Sequence, residues 1–212
     1  SYVWNKRGYD CLKDLCDVKA IGAPYLYMKD TPDPGPVKDS LLSIRIHSLV
    51  ANKVSASWDD FAKATVEFAE LNKLTSATVL LYCLDFTNTV INTFSKYDIN
   101  CVYAGEQGDT NFLYKIRSII RSHSMVMCNR ISTAMFYSLF EVRPTYLFGP
   151  IMKTLPKDAY EDVADDRDWI KHYFPSILAG GLVGVETAKL EMGTDCKKSK
   201  EELTNLLWGW LL

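Results

Sequence analysis

Between Ser40 and Gly149 the apolar residues follow two alternating rhythms. Short continuous runs, SLLSIRIHS, SATVLLYCLD, INCVYAG, SMVMC and RPTYLFG, are separated by SWDDFAKATVEFAELNK, NTVINTFSKYD, TNFLYKIRSIIRSH and STAMFYSLFE, whose apolar residues recur at helical spacing. Continuous rather than alternating strands suit a sheet buried on both faces, so the pattern predicts β-α-β-α-β-α-β-α-β with parallel strands covered by helices. The expected fold is α/β: a Rossmann-like doubly wound parallel sheet followed by a helical C-terminal extension.

Local signals support the helix starts. Ser57 precedes Trp58, Asp59 and Asp60, which places a capping hydroxyl and two carboxylates at the positive end of a helix dipole. Ser199 and Glu202 form a Ser-x-x-Glu capping box ahead of the last apolar stretch. DTPDPGPVKD, residues 30–39, holds three prolines and a glycine among charges, so it reads as a linker. From Asp158 onward the pattern is helical only. The expected division is an N-terminal segment and linker over 1–39, a Rossmann-like domain over 40–150 and a helical extension packing on it over 151–212.

Composition narrows the classes. A chain of 212 residues with a formal charge of -2 has no general attraction for nucleic acid or anionic membrane, so any polyanion must be met locally. No apolar stretch reaches the roughly 18 residues that a spanning helix needs, and Ser1–Asp10 lacks a signal layout, so the expected location is cytoplasmic. The six cysteines form no C-x-x-C pair, which argues against a zinc site or a disulfide framework.

In an open parallel sheet the ligand lies beyond the carboxyl ends of the strands, so the candidates are the polar residues that follow each strand. The first strand ends in His47 and Ser48, the second in YCLDFTN with Asp85, the third in AGEQGD with Gly105, Glu106 and Gln107, and the fourth in Asn129, Arg130, Ser132 and Thr133. Ser132 and Thr133 open the next helix, where unpaired N–H groups and the dipole favour a phosphate or carboxylate; an ordinary N-cap with a solvated arginine accounts for the same residues. Gly105 permits close backbone approach and Glu106 can accept hydrogen bonds from a ribose or base, although a turn alone also accounts for the glycines. His47 is either a hydrogen-bonding or acid–base group at the ligand edge or a structural histidine. His123 and His172 read as structural. Neither G-x-G-x-x-G nor G-x-x-x-x-G-K-[ST] occurs, which disfavours a dinucleotide fingerprint or a Walker loop, and no G-x-S-x-G accompanies Ser132. Asp165–Asp168, DDRD, lies in an acidic helical stretch away from the ligand edge and reads as a solvated face, so no metal is expected.

SHSMVMCNRISTAMFYSLFEVRPTYLFGP resembles the last strand, phosphate-loop helix and strand of the nucleotide-binding half of GT-B glycosyltransferases of the capsule and polysaccharide biosynthesis type. VWNKRGYDCL and VKAIGAPYLYM resemble the approach to that half, and AKLEMGTDCKKSKEELTNLLWGW is similar to its helical tail. The resemblance implies a glycosyltransferase donor-binding domain acting in polysaccharide or glycan biosynthesis. Its donor is a nucleotide-diphosphate sugar, with base and ribose near Glu106, diphosphate near Ser132 and Thr133, and His47 near the donor phosphates or the transferred sugar. The other ligand is a glycan acceptor, which such enzymes hold on a second Rossmann domain; the chain is therefore expected to be either one domain excised from a longer polypeptide, the favoured alternative, or a reduced form of such an enzyme. A sugar-nucleotide epimerase-like enzyme and a non-catalytic nucleotide- or protein-binding module are the alternatives.

Overall fold

The computed structural model describes residues 1–45, 53–55, 57–106, 108–150, 153–155 and 167–208. Five strands form one all-parallel sheet: β1 (Val37–Ile44), β2 (Ser76–Leu81), β3 (Ile99–Tyr103), β4 (His123–Cys128) and β5 (Thr145–Leu147). Between them run α1 (Trp58–Leu71), α2 (Asn88–Ser95), α3 (Phe112–Arg121) and α4 (Thr133–Phe140). The spatial order is β3-β2-β1-β4-β5. The chain winds outward from β1 to β3, then returns to place β4 on the other side of β1. That reversal opens a crevice at the carboxyl ends of β1 and β4, where doubly wound sheets bind ligands.

Helices cover both faces because the strands are apolar on both. Leu41, Val79 and Leu81 join Phe61, Phe68 and Phe94 in one buried cluster, which α1 and α2 close. Ile44 and Leu80 lie with Ile116 of α3 on the other face. Inside the first face the Ser43 and Thr65 hydroxyls are 2.9 Å apart, and Thr65 donates to the Phe61 carbonyl, so these buried groups are satisfied within the core. The α1 cap is as expected: Ser57 Oγ accepts from the Asp60 N–H at 3.2 Å.

β1 begins three residues before the expected strand, inside the stretch read as linker. Pro36 ends the irregular segment, and the Val37 N–H then donates to the Ser122 carbonyl at 3.0 Å, so β1 is already paired beside β4. Ile46 to Ser48, the end of the expected first strand, lie outside the described residues. A three-residue antiparallel pair, Lys53–Ser55 with Lys153–Leu155, was not legible from the apolar pattern because such short segments carry too little periodicity.

Contacts group the chain into two compact units, residues 31–185 with the sheet, and residues 1–30 together with 186–212. In the second unit, Tyr2–Val3 pairs in parallel with Lys19–Ala20, and Asn5 caps the helix Lys6–Leu12 by accepting from the Gly8 N–H at 2.9 Å. The capping box forms as expected: Glu202 N–H donates to Ser199 Oγ at 3.1 Å and Ser199 N–H donates to Glu202 Oε2 at 2.7 Å, opening the helix Lys200–Trp208. Among the described residues no helix is long and apolar enough to cross a membrane.

Candidate functional site

At the carboxyl edge of the sheet a cleft of about 430 Å³ opens where the winding reverses. Its floor is the ends of three strands: Ile44 at the end of β1 with Arg45 after it, Leu80 to Tyr82 at β2, and Ala104 with Gly105 after β3. One wall is Phe112, Leu113 and Ile116 of α3, which turns an apolar stripe inward. The opposite wall is the loop from β4 into α4, Arg130 to Ala134, with Tyr137 one turn further on. The cleft is therefore apolar on the α3 side and carries cationic and hydroxyl groups at its base and far wall.

The loop from β4 resolves into parts with different roles. Ser132 is extended and its Oγ accepts from the Met135 N–H at 3.4 Å, so it is a true N-cap of α4 as well as a lining residue. Thr133, the first helical residue, is exposed at the cleft. Arg130 is buried to 6% exposure yet lines the cleft. Asn129 does not line it: its Nδ2 donates to the Pro150 carbonyl at 3.3 Å and its N–H to the Ile44 carbonyl at 3.4 Å, which ties the exits of β1, β4 and β5 together. Behind the loop, burial pushes the Cys128 thiol well above its usual range, so it stays protonated and acts as a small apolar residue.

The remaining sequence-based candidates are spread more widely. Gly105 lines the cleft with φ of +100°, a conformation that favours glycine, and a Cβ there would come within 3.0 Å of Asp109 Oδ2, a tight contact. Glu106 is exposed and does not line the cleft. Asp109, two residues beyond Gln107, accepts from Lys115 Nζ at 2.6 Å and from the Asn111 N–H at 2.8 Å, which fixes the loop that leads into α3. Asp85 is buried in a short turn after β2, and its charge favours the cationic form of Arg45. His47, Ser48 and Gln107 lie outside the described residues. Of the DDRD stretch only Arg167 and Asp168 are described, at the start of the helix Arg167–Tyr173. Among the described residues no three His, Cys, Asp or Glu side chains converge as a metal site would require. His123 is anchored to the Ile119 carbonyl through Nδ1 at 2.7 Å, and burial lowers its pKa.

Sequence reasoning missed two groups that the fold brings into the cleft. Arg45 is 6% exposed, and its guanidinium carbon sits 3.4 Å from the centre of the Trp58 ring. Burial draws its pKa down to about 10, partly offset by Asp85, which leaves it a cation at neutral pH. Tyr137 is the second; burial pushes its phenol up to about 12, so it remains a neutral donor and acceptor. In SLLSIRIHS the arginine looks like one more polar position of a strand, and in STAMFYSLFE the tyrosine looks like core. Only the pairing of β1 with β4, which leads into α4, brings them to one cleft.

No family profile, characterised protein or solved structure matches the chain significantly.

Proposed function

We propose that the cleft binds a nucleotide-diphosphate sugar and that the chain is the donor-binding part of a glycosyltransferase that makes a polysaccharide or glycan. The observation that carries this reading is the meeting, at the reversal point of a doubly wound sheet, of two buried arginines, a helix N-terminus and an apolar wall. The N-terminus of α4, with Ser132 and Thr133, favours anionic oxygens, and Arg45 and Arg130 add full positive charges. Phe112, Leu113 and Ile116 offer an apolar surface against which a base can pack. The likeness of SHSMVMCNRISTAMFYSLFEVRPTYLFGP to the phosphate-loop region of GT-B glycosyltransferases agrees with this placement.

In the reaction, the bond between the sugar's anomeric carbon and the phosphate oxygen breaks and a new bond forms to an acceptor hydroxyl. Negative charge grows on the departing nucleoside diphosphate. Arg45, Arg130 and the α4 N-terminus stabilise that charge more in the transition state than in the bound donor, which is how fixed donors accelerate group transfer. The acceptor's proton passes to a general base, a role for which His47 is the candidate. The cation at the leaving phosphate is protein-borne, so activity is expected to survive a chelator.

The test is an assay of nucleotide-diphosphate sugars for release of nucleoside diphosphate, with and without glycan acceptors, in the presence of EDTA. Acceptor-dependent release supports the reading. Conversion of the sugar nucleotide with no acceptor present favours an epimerase-like enzyme, and binding without turnover favours a non-catalytic module. Activity abolished by EDTA and restored by manganese overturns the metal-independent mechanism.

A further inference from the structure

Arg45 reaches the cleft from a position fixed on the other face of the sheet. Its guanidinium lies over the Trp58 ring at 3.4 Å. Trp58 is half-buried at the first position of α1, and its ring meets Phe94 of α2 edge-on at 6.0 Å. Phe94 is fully buried and meets Phe61 of α1 in the same manner at 6.4 Å. A continuous chain of ring contacts therefore runs from the α1–α2 core to the charged group at the base of the cleft. An indole engages the face of a guanidinium, whereas the N–H donors lie in its plane, so one arginine can rest on tryptophan and meet a phosphate edge-on.

We infer that Trp58 is a positioning residue: its ring holds the Arg45 guanidinium in place at the base of the cleft, ready for the phosphates of a bound nucleotide, and touches no ligand atom itself. The inference rests on the nucleotide reading of the cleft and adds a residue to it. Without the ring, Arg45 keeps its charge but samples other rotamers, and the ordering of a long side chain is then paid on binding. Asp85, buried beside the arginine, supplies charge balance but no stacking surface.

The experiment titrates uridine, guanosine and thymidine diphosphates, and the matching nucleosides, into the wild type and into Trp58→Leu, Trp58→Phe, Arg45→Ala and Trp58→Leu/Arg45→Ala. Trp58→Leu should weaken diphosphate binding about three- to tenfold and leave nucleoside binding unchanged, while Trp58→Phe, which keeps a ring face, should recover most of the loss. In the Arg45→Ala background Trp58→Leu should cost nothing further. Should Trp58→Leu fail to fold, Trp58→Phe with and without Arg45→Ala carries the same comparison through a loss of about twofold. Equal weakening of nucleoside and diphosphate, or an undiminished Trp58 effect without Arg45, overturns the positioning role. Wild-type diphosphate affinity in Trp58→Leu overturns this inference alone, whereas no binding of any diphosphate by the wild type overturns the nucleotide reading with it.

Discussion

At Ser132 one hydroxyl faces two demands, since it caps α4 through the Met135 N–H and also lines the cleft. Thr133 beside it is exposed and caps nothing. The two roles can therefore be separated. Ser132→Ala should lower fold stability by about 1 kcal/mol through loss of the cap. Thr133→Ala should leave stability unchanged, and the double variant should bind a nucleoside diphosphate more weakly by roughly 1–3 kcal/mol, because the backbone N–H groups remain. Denaturant unfolding reads the first effect and calorimetry the second; unchanged affinity in the double variant leaves only the cap. His47→Ala should reduce donor binding or transfer with little change in melting temperature, and normal turnover with a large fall in melting temperature would show it to be a structural residue. Ser132, Thr133 and Gly105 were legible because each closely follows an apolar strand, and the carboxyl ends of parallel strands are where such a sheet meets its ligand. Arg45 was not, because an alternating polar residue in a strand is ordinary and its burial on Trp58 depends on where α1 begins in space.

At the scale of elements, α3 and α4 are joined at the edge of the sheet opposite the cleft by a buried ion cluster. Glu141, which follows α4, accepts from Arg121 Nε at 2.6 Å, and its other oxygen is 3.1 Å from Arg117 Nε. All three side chains are at most 12% exposed. The cluster continues outward: Arg143 donates to Asp33 Oδ2 at 2.7 Å and Arg121 to the Thr31 carbonyl at 2.5 Å, which secures the proline-rich segment against the sheet unit. Removing a buried carboxylate strands two arginine charges, and that cost exceeds the net value of the intact pair. Glu141→Ala should therefore destabilise the fold by about 3–5 kcal/mol in urea unfolding. A loss under about 1 kcal/mol would mean that solvent already screens the cluster as at a surface pair. The helices themselves were readable from apolar spacing and caps. The cluster was not, since Arg117, Arg121, Glu141 and Arg143 look like solvated positions of amphipathic stretches until the strands set α3 beside α4.

Over the whole molecule, alternation of strand and helix foretold the sheet, its parallel sense and the edge at which to look, because continuous apolar strands leave few other arrangements. It did not foretell the interleaving of the chain, in which residues 1–30 join residues 186–212 in a second unit. Composition along the sequence does not record such long-range pairings; the Tyr2 hydroxyl, for example, donates to the Leu206 carbonyl at 2.6 Å. The described lining of the cleft comes entirely from the sheet unit, between Ile44 and Tyr137. The central claim, that this cleft holds a nucleoside diphosphate, is tested most directly by hydrogen–deuterium exchange with and without saturating uridine, guanosine or thymidine diphosphate. The account predicts slowed exchange in peptides covering residues 129–137 and 104–116, with residues 1–30 and 186–212 unchanged and orthophosphate giving much less protection. Exchange unaltered at residues 129–137, or protection confined to residues 1–30 and 186–212, would contradict it.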